Sequence, residues 1–115
     1  MSYKSTHSFD ERKEEVKRLR KRYPDRVPII VEKAVNCLTL SDIPHRKFLI
    51  ECDYTMGYFM FIIRKKIKLD PDHALFFFVG NNLISGGQLI SSVYEEHKDA
   101  CGTLFIEYHS ENTFG

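Results

Sequence analysis

The sequence predicts an α+β fold in which a mixed sheet curls over one helix, the β-grasp arrangement. Three observations carry that prediction. After a charged N-terminal helix the segments run strand, strand, helix, strand, strand, with one short extra helix before the last strand. The first and last of these strands, "RVPIIVEK" and "TLFIEYH", are apolar runs, which places them side by side in the buried middle of the sheet. Long parallel-sheet repeats and phosphate-cradling loops are absent: Gly86-Gly87 has neither a GxGxxG nor a GxxxxGKS/T setting and reads as a turn. At 115 residues, with 43% of them hydrophobic, the chain makes one domain with a core of its own.

Each element has a local reason. Ser8, followed three residues on by Glu11, has the spacing of a capping box and starts a helix that Pro24 ends. Its apolar residues are only Val16, Leu19 and Tyr23, a narrow stripe on a charged cylinder, so it lies on the domain rather than forming its centre. "RVPIIVEK" is a mostly β-branched strand in which Pro28 must sit where a missing N–H is tolerated. A loop, "AVNCLTLSDIPH", leads to "RKFLIE", a short charged-flanked segment with the character of an edge strand, guarded by Lys47 and Glu51. Thr55 caps the second helix, "MGYFMFIIRKKIKL". Met56, Phe59, Met60, Ile63 and Ile67 share one face of it, yet Tyr58, Phe61 and Ile62 are apolar as well. Either neighbours cover that second side, the commoner arrangement, or it is an exposed groove. "ALFFFV" is a buried strand, "GNN" a tight turn, "LI" a short partner strand, and "GGQLISSVYEEHKD" a turn and short helix. Leu75, Phe77, Val79, Ile29, Val31, Phe61 and Ile106 are the expected core.

Composition excludes several functions. The longest apolar runs are six residues, against the roughly 20 of a membrane-spanning helix, and the polar N-terminus has no signal-peptide pattern. Cys37, Cys52 and Cys101 are odd in number and widely spaced, which argues against a disulfide framework or a zinc site and fits a reducing compartment. Glu14-Glu15 and Glu95-Glu96 fall on solvated helix stretches, and no nucleophile stands in a recognisable catalytic setting, so no enzyme and no catalytic residue is expected. The net charge of +1 is unevenly divided: through Arg26 nine Lys/Arg against five Asp/Glu give +4, and the remaining eight against eleven give −3. A basic helix beside aromatic strands raises RNA binding, but "HALFFFVGN" does not match the RNA-binding strand signature, and three successive phenylalanines alternate faces. No nucleic-acid partner and no metal or soluble cofactor is expected.

The C-terminal "YHSENTFG" follows an apolar strand with residues that bury little and ends on a bare glycine. Together with "RKRYPDRVPIIVEKA", "FIIRKKIKL", "ALFFFVGNNLI" and "VYEEHKD", in that order and spacing, it resembles the ubiquitin-like autophagy modifiers of the GABARAP type, over about residues 3–115. The resemblance implies a ubiquitin-like β-grasp with two additional N-terminal helices: a helical extension over 1–24, the β-grasp core over 25–109 and a conjugation tail over 110–115. It implies that Gly115, with Phe114 as a handle, is activated by E1-like and E2-like conjugation enzymes and joined to phosphatidylethanolamine. A cysteine protease processes and deconjugates such modifiers, which act in the cytoplasm and on autophagosomal or related membranes.

The same resemblance implies that cargo receptors and adaptors dock through peptides carrying an aromatic residue and, three positions later, an aliphatic one. Carried over by position, one pocket uses Glu15, Leu19, Pro28, Ile30, Lys47 and Leu49, the other Phe48, Ile50, Tyr54, Phe59 and Ile62. Lys47 and Arg64 would meet acidic flanking residues, and Arg26 would fasten the peptide. Three departures bear on ligand preference. Thr103 stands where an aromatic commonly closes the first pocket, Glu51 replaces a proline beside the second, and "VNCLTLSDIPH" is longer and less basic than usual. The alternative is an unconjugated adaptor that docks peptides, or tubulin through its basic N-terminal helices.

Overall fold

The computed structural model describes residues 2–37 and 39–110. Two helices open the chain, α1 (Tyr3–Thr6) and α2 (Phe9–Arg22). Then come β1 (Arg26–Lys33), β2 (Lys47–Glu51), α3 (Met56–Lys66), β3 (Leu75–Val79), β4 (Asn82–Ile84), α4 (Ile90–His97) and β5 (Leu104–Ser110). The sheet order is β2-β1-β5-β3-β4. The outer strands run antiparallel to their neighbours and β1 runs parallel to β5, with Ile29 opposite Leu104 and Val31 opposite Ile106. This is the β-grasp pairing expected from the two apolar strands.

The local chemistry is the one the sequence specified. Ser8 accepts from the Glu11 amide while the Glu11 carboxylate accepts from the Ser8 amide, closing the capping box. Those bonds hold the Glu11 carboxyl below its ordinary range. Thr55 caps α3 through the Tyr58 amide, at 3.2 Å. Pro28 lies one residue ahead of the first β1–β5 pair, so no parallel ladder bond is lost to it. Gly80 turns β3 into β4 with φ +59°, a backbone region open to glycine. α1 has a sequence signal of only four residues; it stands on a Ser2 cap and on the Tyr3 amide, which donates to Glu32 Oε2 at 2.9 Å.

The core gathers Val27, Ile29, Val31, Phe59, Ile63, Phe77, Ile106 and Tyr108, with Leu75 and Val79 packed against it from its margin. Phe61 is a correction: it is 55% exposed, and Tyr58 is exposed beside it. α3 buries Met56, Phe59 and Ile63 in the core, while Phe61 projects from another side of the helix, beside Leu69 and Pro71. Cys37 and Cys101 are buried and Cys52 half-buried, all as free thiols.

Candidate peptide-docking site

β2 ends the sheet, so it is hydrogen-bonded along one edge and open along the other. Its side chains alternate. Lys47 and Leu49 face α2, while Phe48 and Ile50 pack against the core on the α3 side. α2 is held above β1 by its stripe, with Val16 buried against the sheet side and Leu19 half-buried. Between α2 and the β1–β2 pair lies an apolar cleft of about 230 Å³. All six residues expected of the first pocket, Glu15, Leu19, Pro28, Ile30, Lys47 and Leu49, line it, as does Thr103.

Thr103 is buried, so it stands in the inner wall of the cleft with a small side chain. Lys47 closes the cleft by an ion pair to Glu15 that ties β2 to α2. Burial alone would lower the Lys47 ammonium, but Glu15 outweighs it and holds the group above the ordinary lysine range. Two further wall residues had no clear sequence signal. Tyr3 reaches the cleft from α1 and stacks on His7 at 4.0 Å, and Arg12 reaches it from α2. Arg12 donates to the His7 carbonyl at 2.7 Å, and its Nε is buried without a hydrogen-bond partner among the described residues. Both depend on how the N-terminal segment docks, which residue pattern does not encode.

The second group is brought together less completely. Phe48, Ile50 and Ile62 are half-buried against the core, and Tyr54 is exposed and stacked on Tyr58 at 4.4 Å. The Glu51 charge, first among its neighbours, pushes the Tyr54 phenol up. Phe59 is a correction: it is fully buried between Phe48 (5.2 Å) and Phe77 (5.7 Å), so it supports the site from beneath and does not line its surface. Arg64 donates to the carbonyls of His73 at 2.8 Å and Asp70 at 3.1 Å, which commits it to the loop after α3. Lys66, not singled out from sequence, is the cation over Phe48, 5.9 Å from the ring centre. Arg26 lies opposite Glu51 in the strand register, at the far end of β2 from Lys47, with its guanidinium over Tyr23 at 5.2 Å. Gly115 and Phe114 lie outside the described residues.

The family model for "Autophagy protein Atg8 ubiquitin like" matches residues 11–115. The chain belongs to the Atg8 ubiquitin-like family. Autophagy-related protein 8 of Mycosarcoma maydis is 46% identical over 114 residues, covering 99% of this chain and 96% of its own. Autophagy-related protein 8d of Arabidopsis thaliana is 45% identical over 114 residues, covering 99% and 94%. The crystal structure of Trypanosoma brucei ATG8 superposes with a TM-score of 0.92 at 34% identity, covering 100% of this chain and 98% of that one. The fold is thus the ubiquitin-like β-grasp of Atg8 proteins, and the chain is a ubiquitin-like autophagy protein with an autophagy-associated location.

Proposed function

We propose that this Atg8-family chain is a membrane-conjugated docking module of the GABARAP type, itself not an enzyme. Its C-terminal Gly115 is activated and transferred by E1-like and E2-like enzymes to phosphatidylethanolamine, and a cysteine protease reverses the linkage. Glycine suits that chemistry: an enzyme thiol must reach the Gly115 carboxyl inside a narrow channel, and a side chain would obstruct the approach. Two acyl chains, at about 0.8 kcal/mol per buried CH₂, then hold the domain on autophagosomal membranes.

The observation that carries the docking half is that the open edge strand β2 has an apolar cleft on one face and half-buried apolar side chains on the other. A peptide added along that edge as a further strand sends successive side chains to opposite faces. Residues three apart therefore point to opposite faces, which is the spacing of an aromatic-x-x-aliphatic peptide. The aromatic enters the cleft beneath Lys47, and the aliphatic residue meets Phe48, Ile50 and Ile62. Cargo receptors and adaptors with such motifs are the partners.

Gly115 separates the conjugated modifier from an adaptor that only docks peptides or tubulin. In a reaction holding the conjugation enzymes and phosphatidylethanolamine vesicles, Gly115→Ala is expected to abolish vesicle association while leaving peptide affinity intact. Undiminished association of Gly115→Ala would refute conjugation and leave the adaptor.

A further inference from the structure

We propose that the C-terminal end of α3 is a second membrane contact, a docking face for an anionic lipid surface beside the conjugated tail. This rests on the reading that Gly115 carries a lipid. Phe61, 55% exposed, has the Lys65 ammonium 4.5 Å from its ring centre. With Arg64, Lys68, Leu69 and Pro71 they line a shallow depression of about 300 Å³. Phe61 and Lys65 are four residues apart on one face of α3, and Lys68 follows just past the helix end with φ +54°. Tyr58, exposed one turn earlier, continues that face with a second aromatic ring. An aromatic body flanked by long cationic side chains suits the boundary between lipid headgroups and acyl chains, where the ring enters and the ammonium groups stay wet.

Charge and topology select the occupant. Between residues 64 and 73, Arg64, Lys65, Lys66 and Lys68 against Asp70 and Asp72 leave +2. The Asp70 carboxylate accepts from the Asp72 amide, at 3.3 Å. Two copies of such a face repel each other across a two-fold contact, which disfavours self-association. The face is also close to the tail. Arg64 grips the carbonyls of Asp70 and His73, and the loop then enters β3 at Leu75, whose strand partner is Ser110. The last described residue before the tail is therefore rooted at the α3 end that carries the lysines. The 5 residues that follow Ser110 span at most about 17 Å. A domain tethered through Gly115 holds this face within reach of the bilayer.

The chain has no tryptophan, so Phe61→Trp creates a single fluorescent reporter at an exposed aromatic position. The full chain with a histidine tag after Gly115 is tethered to vesicles by a chelating lipid. This tether does not depend on conjugation chemistry, so failure of the face and failure of conjugation are read separately. On phosphatidylserine-containing vesicles the reporter is expected to shift to the blue and be quenched by brominated acyl chains. On phosphatidylcholine alone it is not. Ala100→Trp, exposed ahead of β5 at the opposite end of the strand from Ser110, is expected to stay unquenched on both.

Raising salt from about 0.1 to 1 M, which shortens the screening length from about 10 to 3 Å, is expected to reverse the shift. A lysine near an anionic surface contributes roughly fivefold, so Lys65→Gln with Lys68→Gln lowers the docked-to-free ratio by at least about tenfold. Equal emission of Phe61→Trp on both vesicle types overturns the proposal. So does a reporter that responds to polyglutamate in solution and not to vesicles, since the face would then serve an acidic protein.

Discussion

Lys47 already has an acidic partner. Glu15 holds it across the cleft and keeps it charged, so an acidic residue flanking a peptide must displace Glu15 rather than meet a free cation. The net gain is then small and screened by salt. Leu49 faces the cleft half-buried, and covering the remainder adds about 0.75–1.5 kcal/mol, half the worth of a fully buried leucine. Peptide titration is therefore expected to show a roughly three- to tenfold loss for Leu49→Ala. For Lys47→Ala it is expected to show a lesser loss that shrinks as salt rises, with both proteins folded. Equal binding by wild type and both variants would move the groove elsewhere. In the central strand β5, Tyr108 is fully buried and donates to the Ser41 carbonyl at 2.6 Å. Burial first, then the Asp42 charge, pushes its phenol up to about 12. Because the folded value is raised above the ordinary 10, the stability it confers is intact below pH 10 and lost as pH rises from 10 towards 12. Tyr108→Phe, lacking the hydrogen bond, is expected to start about 1 kcal/mol less stable and to lose less across that interval, as read by urea melts at stepped pH. An unchanged alkaline slope would show that Tyr108 does not govern it.

Elements meet where side chains permit approach, and Gly102 is where α2 meets the loop before β5. Its φ of +95° is strained for any other residue, and a Cβ there would lie 2.8 Å from Val16 Cγ1. Gly102→Ala is expected to weaken folding by about 1–2 kcal/mol from the backbone alone, with the clash added. A melting temperature lower by roughly 5 °C or more follows, together with weaker peptide binding because α2 walls the cleft. An unchanged melt would mean that α2 is free to shift. Sequence revealed what local chemistry decides: both capping motifs, the β1 run, the guarded edge of β2 and the order of pairing. It revealed less where tertiary contact decides. Phe61 is as apolar as its buried neighbours, yet it projects from a side of α3 that the core does not cover. Arg64 reads as a surface cation until the Asp70–His73 loop folds back onto it. Tyr3 and Arg12 enter the cleft because the N-terminal segment docks on Glu32, 29 residues from Tyr3, and no spacing rule reaches that far.

At the scale of the whole molecule, the core and the cleft have different owners. Every member of the central buried cluster lies between Val27 and Tyr108, drawn from β1, α3 and its C-cap Ile67, β3, β4, α4 and β5. α1 and α2 contribute none, yet they supply Tyr3, Arg12, Glu15, Val16 and Leu19 to the cleft. They attach mainly at the surface, by the Tyr3–Glu32 hydrogen bond, the exposed Lys4–Asp99 pair at 3.5 Å and the packing of Val16. Removing residues 1–24 is therefore expected to leave a domain that folds and unfolds cooperatively at a lower temperature, because the sheet, α3 and their apolar contacts remain. The same deletion strips one wall from the first pocket and the partner from Lys47, so peptide affinity is expected to fall more than tenfold. Circular-dichroism melts and peptide titration of the shortened chain decide between three arrangements. A folded, weakly binding chain supports the division. An unfolded chain makes the N-terminal helices part of the folding unit. A folded chain with undiminished affinity means the peptide relies on the α3 face of β2 alone, and the cleft beneath Lys47 is not its anchor.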